Sequence, residues 1–210
     1  MPPQTLPVAG TPQGMRRQRA VAWLVAWLLI AVAFSAVGGL RWLPPPFPQL
    51  VLAALVALQL VLLRWSPSVR TFADRVPVAA ILGLHLGRFV GGYFLWLYDR
   101  GELPFDFAVL GGIGDIVVAA GALALLAVHR GSPPVHSRSL QIWNAIGLVD
   151  IVFVVVAAAR NALAASETMA PLLRLPLALL PTWLVPLIIA SHLLLILRGL
   201  GQLGRRPAST

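Results

Sequence analysis

The sequence contains no cysteine and no lysine, and charged residues of either sign are scarce. All 16 basic residues are arginine, and aspartate and glutamate together number only seven. Without cysteine the chain cannot form disulfides, thiolate metal sites or a cysteine nucleophile. Without lysine it cannot form the Schiff bases on which retinal-type cofactors and lysine catalysis depend.

Apolar residues dominate instead, because 59% of the chain is hydrophobic and only 11% is charged. A soluble domain is less apolar and carries about 25% charged residues. The net charge of +9 comes from arginines that occur singly or in short clusters between apolar runs. This distribution favours a role in membrane orientation over nucleic-acid binding, for which a basic face would be expected. The composition therefore predicts a membrane protein whose partner is the lipid bilayer.

Six apolar runs are candidates for helices that cross a bilayer core of about 30 Å. They cover, approximately, residues 20–40, 49–64, 76–98, 107–128, 139–163 and 176–198. We predict an all-α, polytopic membrane helix bundle over residues 16–199. The flanking residues 1–15 and 200–210 have no apolar period and are predicted to be disordered tails.

The arginines also predict the orientation of the bundle. With a cytoplasmic N-terminus, about eleven arginines lie on the cytoplasmic side and about four on the other. The positive-inside rule then places both termini in the cytoplasm, and we expect a multi-pass protein of a bacterial inner membrane. An alternative is a cleaved signal peptide over residues 1 to about 36, because arginines 16–19 precede an apolar core.

Six polar side chains within the predicted spans form a candidate site. They are His85, Arg88, Asp115, Asn144, Asp150 and His192. An ionisable group at mid-membrane costs at least about 2.5–3.5 kcal/mol on insertion scales, so each needs a partner. At a rise of about 1.5 Å per residue, Arg88 and the two aspartates share one depth near mid-membrane. The histidines and the asparagine lie nearer the cytoplasm, and the two histidines differ in depth by about a turn.

Helical phase predicts which faces point inward. His85, Arg88 and Gly92 recur at i, i+3 and i+7, which predicts one polar stripe. A four-spaced glycine ladder from Gly83 to Gly91 lies on roughly the opposite face and would let another helix approach, in this chain or in a homo-oligomer.

The last two predicted spans carry further signals. Asn144 falls on the flank of the face that Gly147 and Asp150 share. Pro181 and Pro186 lack the backbone N–H group, so carbonyls near the start of the sixth span need other donors. Irregular backbone at this depth is typical of segments that line protein or a water cavity.

The charge count of the cluster favours an active role. Two carboxylates face one guanidinium, so full ionisation needs a proton, a histidine cation or a ligand for balance. We expect a small transporter or ligand-binding membrane protein, coupled to protons, in which Arg88 holds an anionic group or a carboxylate. Asp115 and Asp150 would exchange a proton, and His192 with Asn144 would extend the path inward. No cofactor and no metal site are expected.

Two alternatives stay open beside the transporter hypothesis. In a structural or scaffold protein, the ion pairs would only determine how the helices pack. In an enzyme, the two aspartates would act on a membrane substrate. The run Gly112-Ile113-Gly114-Asp115 resembles the Gly-x-Gly-Asp motif of intramembrane aspartyl proteases, such as presenilins and prepilin peptidases. That resemblance implies that Asp115 and Asp150 share a proton and activate water, although in these proteases the motif follows the other aspartate.

A second resemblance covers residues 85 to 192. It rests on the segments Arg88-x-x-Gly-Gly-x-Phe-Leu, Gly101-Glu-Leu-Pro, Gly112-Ile-Gly-Asp, Trp143-Asn-x-x-Gly-Leu-x-Asp and Leu184-Val-Pro. These are similar to segments of uncharacterised bacterial multi-pass membrane proteins. The resemblance implies that the segments form one site, and it implies no known activity.

Overall fold

The computed structural model describes residues 12–201, apart from the side chains of residues 12–17, 19 and 20. Within these residues the chain forms eight α-helices, joined by 3-10 and π turns, and no strand. The helices are α1 (Pro12–Ala36), α2 (Phe47–Trp65), α3 (Pro67–Arg75), α4 (Val78–His85), α5 (Gly91–Asp99), α6 (Gly112–Val128), α7 (Arg138–Ala164) and α8 (Val185–Gly199). The predicted all-α bundle is confirmed.

Five helical segments are long and apolar enough to cross a membrane. They are Phe47–Trp65, Val78–Asp99, Asp106–Val128, Arg138–Ala164 and Leu180–Gly199. Their ends lie within a few residues of five of the six predicted runs, and they are called here spans 2 to 6. The first predicted run forms α1, whose apolar part, Val21–Ala36, is shorter. The predicted tails lie mostly outside the described residues, although α1 already begins at Pro12.

A short helix between spans 2 and 3 is an element that the hydropathy pattern did not predict. Ser66 begins this helix, α3, and its hydroxyl accepts a hydrogen bond from the Val69 amide at 3.4 Å. The guanidinium of Arg198, at the end of span 6, donates to the carbonyl oxygens of Val76, at 2.7 Å, and Ala73. These bonds attach the end of span 6 to the start of span 3.

Span 3 changes its winding at its centre, where Leu86–Val90 forms a 3-10 helix between α4 and α5. A 3-10 helix has about three residues per turn, so residues three apart share a face. The buried face accordingly contains His85, Arg88, Gly91, Phe94 and Leu97. The predicted stripe is wrong at Gly92, which is exposed and where an added Cβ atom would meet nothing within 4 Å. The α-helical period of 3.6 residues does not apply across this turn.

The glycine ladder supports one close helix contact, at Gly91. A Cβ atom on Gly91 would collide with the carbonyl oxygen of Gly112 in α6, and one on Gly112 would lie 2.9 Å from the Gly91 oxygen. Gly83 faces open space, and Gly87 faces only the side chain of Leu184, at 3.4 Å from a Cβ position. Gly91 and Gly112 therefore allow spans 3 and 4 to touch through their backbones.

The prolines of span 6 free carbonyl groups that other residues then bind. Pro186 cannot donate to the carbonyl of Thr182, and the indole Nε1–H of Trp27 in α1 donates to it instead, at 3.0 Å. The Leu177 carbonyl accepts from the Leu180 amide at 2.9 Å. The irregular turn predicted here is present, as a π turn over Leu180–Leu184. The hydrogen bond from Trp27 to the Thr182 carbonyl attaches α1 to this turn.

Apolar side chains form two separate cores, one toward each end of the bundle. The first includes Ile81, Val118, Leu140 and Leu195, and the second includes Phe94, Phe107, Ile151 and Ile188. In each of spans 3 to 6, the residues of the polar cluster lie between the residues of the first core and those of the second core. The polar cluster is therefore a thin layer between two apolar cores.

Span 2 packs differently from the other spans. None of its residues is buried, and it contacts α8, the π turn before α8, and α3. Span 2 therefore lies at the periphery of the bundle. It also leaves a space between α2 and α7.

The glycine contact between spans 3 and 4 provides a first test. Gly91→Ala should lower the stability by about 1–3 kcal/mol or more, because the new methyl group meets a backbone carbonyl that cannot move alone. Gly92→Ala is the matched control and should be neutral or slightly stabilising, since its surroundings are open and alanine favours helix. Unfolding in a detergent titration measures both, and equal effects would contradict the packing described here.

The bond from Trp27 provides a second test. Trp27→Phe keeps an aromatic ring but leaves the Thr182 carbonyl without its donor. This loss should lower the free energy of unfolding by about 1–3 kcal/mol. Trp23→Phe, on the same helix, should change little because Trp23 is 76% exposed. The difference between the two melting temperatures in detergent measures the bond, and no difference would show that the bond does not stabilise the bundle.

Candidate functional site

Arg88 lies at the centre of the polar layer, with only 1% of its surface exposed. Its Nε–H donates to Asp115 Oδ1 of α6 at 2.5 Å, and its Nη2–H donates to Asp150 Oδ2 of α7. Its Nη1–H donates to the carbonyl oxygen of Gly147 in α7 at 3.1 Å. Both aspartates are therefore partners of the arginine, and the guanidinium joins spans 3, 4 and 5.

Glycines make room for this arrangement. A Cβ atom on Gly114 would collide with the Asp150 carboxylate, and one on Gly147 would lie 2.5 Å from Cε1 of His192. The two glycines of the Gly112–Asp115 motif thus have separate packing functions. Gly112 admits the backbone of Gly91, and Gly114 admits the second carboxylate.

His85 is fully buried, and its hydrogen bonds determine its tautomer. The hydroxyl of Ser191 donates to the carbonyl of Ile188 at 2.7 Å, so it has no proton left for the histidine. Nε2 of His85, at 2.9 Å from that hydroxyl oxygen, must therefore be the donor. A neutral ring then leaves Nδ1 as an acceptor, and this atom has no partner among the described residues.

His192 is also fully buried and has the opposite tautomer. The Asn144 amide nitrogen donates to the backbone carbonyl of His192 at 3.2 Å, which turns its oxygen toward the ring. Nδ1 of His192, at 2.8 Å from that oxygen, is the donor. Nε2 is left as a bare acceptor without a partner among the described residues.

The two histidine rings lie against each other and against Trp143. Their centroids are 4.5 Å apart, and the Trp143 ring lies 4.8 Å from His85 and 5.6 Å from His192. The two histidines, predicted to differ in depth by about a turn, are thus in direct ring contact. Asn144, predicted on the flank of the site, is 2% exposed and in direct contact with His192.

The structure brings all six predicted residues into one connected region. Gly147 links its two halves, since its carbonyl binds Arg88 and its missing side chain admits His192. Ser191 and the backbone of Gly147 belong to the region, and sequence reasoning omitted them. A serine beside an intramembrane histidine is a signal that could have identified Ser191.

The carboxylates are not arranged like an aspartyl protease dyad. Each is bound to Arg88, and the described residues contain no hydrogen bond between Asp115 and Asp150. Nor does the described part of the chain contain a group of three or more histidine and acidic side chains that could hold a metal ion. Both carboxylates are instead held by one guanidinium, an arrangement that can hold and exchange charge.

A cavity of about 470 Å³ lies next to this region, between α2, α7 and span 6. Arg88 and Asp115 are part of its wall, and nearly all its other lining residues are apolar. Val56 and Leu60 of α2, Val155 of α7 and Leu184 of span 6 are examples. The cavity gives the charged cluster access to a space large enough for a small molecule.

A second cavity, of about 550 Å³, lies near the end of the bundle opposite the arginine-rich side. Glu102, Glu167 and Arg174 are among its lining residues. Nearby, Asp106 binds the guanidinium of Arg160 and accepts from the Asn161 amide at 3.0 Å. This second cavity has both charged and apolar residues in its wall, and none of the six cluster residues lines it.

The buried ion pairs predict an asymmetry in mutational effects. Arg88→Met should destabilise the protein by about 3–5 kcal/mol, because it leaves two carboxylates in the interior without a cation. Adding Asp115→Asn and Asp150→Asn should recover much of that loss, since the uncompensated charges are then gone. Arg160→Met breaks a pair whose arginine side chain is 70% exposed and should cost at most about 1 kcal/mol.

Detergent unfolding curves of the four proteins, including the wild type, test this prediction. A triple variant that is less stable than Arg88→Met would contradict it, because the loss would then come from packing and not from charge.

No curated protein and no solved structure matches the chain. One family model matches residues 45–200, which include all five candidate spans and all six cluster residues, whereas α1 precedes the match. Its description names no activity, so the resemblance to intramembrane aspartyl proteases is not confirmed. The match covers well over half of the chain, and the protein therefore belongs to the family described as domain of unknown function DUF8737.

Proposed function

We propose that this protein is a ligand-binding membrane protein of the transporter type, which binds a small molecule in the cavity beside Arg88 and Asp115. The observation that carries the proposal is the cavity itself, whose apolar wall contains an ionic cluster at one point. Ligand pockets are typically about 300–1,000 Å³, mostly apolar, with a few placed polar groups. This cavity has that size and composition.

Span 2 supports a transport role because it could admit the ligand. It forms one wall of the cavity, and none of its residues is buried. A peripheral helix can move without breaking the contacts that the other spans make with one another. We propose that a displacement of α2 opens the cavity to the bilayer, and that spans 3 to 6 stay together around the ionic cluster.

The histidine pair supports proton exchange at the same cluster. His85 and His192 lie between Arg88 and the arginine-rich end of the bundle, and each has a bare, buried acceptor nitrogen. With Ser191 and Asn144 they form two hydrogen-bonded pairs that lie together beside the ionic cluster. We propose that protons leave the carboxylates of Asp115 and Asp150 past these groups, toward the cytoplasmic side of a bacterial inner membrane.

A structural role is the second candidate, and one observation favours it. The guanidinium of Arg88 binds three groups and thereby joins three spans, which is sufficient to determine how they pack. A purely structural cluster predicts that loss of function follows loss of stability in every variant. It also predicts that the cavity binds nothing selectively.

Binding of a neutral apolar dye tests the cavity independently of charge. Purified protein should bind 1-N-phenylnaphthylamine saturably, with a rise in dye fluorescence. Ala159→Trp places a large ring in the cavity wall and should reduce the dye affinity at least about tenfold, which corresponds to about 1.4 kcal/mol. Val149→Trp lies on the same helix at a position that is 70% exposed, and it should bind dye like the wild type.

Non-saturable dye uptake, or equal affinity in both tryptophan variants, would show that the cavity is not a binding site. The structural candidate would then be preferred.

A further inference from the structure

We propose that the ligand of this cavity is a lipophilic cation, which the surplus negative charge of Asp115 and Asp150 attracts and which exchanges with a proton. This inference rests on the proposed function, because it names the ligand class of the same cavity.

The charge balance is the first argument. Arg88 supplies one positive charge to two carboxylates. Arg88 and Asp115 are the charged residues of the cavity wall, within the part of the chain that the structure describes. When both aspartates are ionised, the cluster therefore carries one net negative charge. In an apolar environment such a charge interacts strongly with a cation and repels an anion.

The hydrogen bonds show where this charge is available. Arg88 binds Oδ1 of Asp115 and Oδ2 of Asp150. The other oxygens, Oδ2 of Asp115 and Oδ1 of Asp150, have no hydrogen-bond donor among the described residues, and neither is completely buried. Arg88 itself is already bound to both carboxylates and to Gly147, so it is a poor site for an anionic ligand. Of the two expected partners, an anionic group or a carboxylate, Arg88 holds carboxylates, those of Asp115 and Asp150.

The aromatic residues of the wall are the second argument. Phe94 and Phe107 both line the cavity, and their ring centroids are 5.1 Å apart. Aromatic faces attract cations, quaternary ones included, more strongly where water is excluded. The rest of the wall is aliphatic and would surround the apolar groups of the ligand. A cation with large apolar substituents would contact both the carboxylate and the apolar wall of the cavity. A hydrophilic cation would make no apolar contacts with that wall.

The same carboxylates can accept either the cation or a proton. Arg88 from span 3 is the charged group that binds both carboxylates, and the titratable rings of His85 and His192 lie beside the cluster, where Gly147 admits His192. Span 2 contributes no charged residue to the cavity wall. The binding of one cation would therefore release about one proton, which leaves the carboxylate for solvent. Such exchange would couple export of the cation to proton entry.

Two ions of almost equal shape and opposite charge test the inference. Tetraphenylphosphonium and tetraphenylborate should be titrated into purified wild-type protein by isothermal calorimetry. The cation should bind saturably, and the anion at least about tenfold more weakly. In a weakly buffered solution with an indicator dye, cation binding should release about one proton, and cation affinity should fall as the pH is lowered.

Variants of single aspartates then test which carboxylate attracts the cation. Asp115→Asn should reduce the affinity for the cation at least about tenfold more than it changes the affinity for 1-N-phenylnaphthylamine, and saturable dye binding shows that the variant is folded. Asp106→Asn is the matched control, because its carboxylate binds Arg160 outside the cavity, and cation affinity should stay the same.

Equal or tighter binding of tetraphenylborate would overturn the inference, and so would cation binding that is indifferent to Asp115→Asn. In either case, binding of the neutral dye tests the proposed function separately. If Ala159→Trp still abolishes dye binding, the cavity is a ligand site for another class of molecule. If the dye also fails to bind, the proposed function is wrong as well.

Discussion

The guanidinium of Arg88 is the group around which this bundle is built, because it is buried where water cannot solvate it. Its N–H groups bind two carboxylates and a backbone carbonyl from two other spans. Those bonds require spans 3, 4 and 5 to approach closely, and glycines at the contacts allow it. The 3-10 turn has a related role, since it keeps His85 and Arg88 on the buried face with Gly91. The local backbone and the helix contacts are therefore consistent with one ionic cluster.

The cluster separates two different environments. Toward the arginine-rich end, the two histidines, Trp143 and Asn144 form a closely packed polar connection with two bare ring nitrogens. Toward span 2 there is a cavity with almost entirely apolar walls. Protons need only a few polar atoms in a narrow path, whereas an amphipathic molecule needs volume. The bundle has a narrow group of polar atoms on one side of the carboxylates and a cavity on the other side. Both proposals rest on this asymmetry.

The sequence predicted the spans well and their rotation poorly. Hydropathy is a sum over about 20 neighbouring residues, so the ends of spans 2 to 6 follow from composition alone. The face that each residue occupies depends on the winding, and the 3-10 turn at Arg88 changes it locally. Gly92 was therefore predicted on the wrong face. Asn144 was predicted on the flank of the site, but it is buried against His192. That contact depends on how spans 5 and 6 pack, which helical phase within span 5 does not show.

The sequence by itself determined that the chain is apolar enough to enter a membrane, and that one arginine and two aspartates lie near the middle of three spans. These properties follow from residue type and position along a helix, which are local. Only the tertiary structure decided that both aspartates bind the same arginine, which histidine nitrogens remain bare, and that a cavity opens beside Asp115. These depend on distances between helices, and such distances are set by glycine contacts, turns and freed carbonyls acting together.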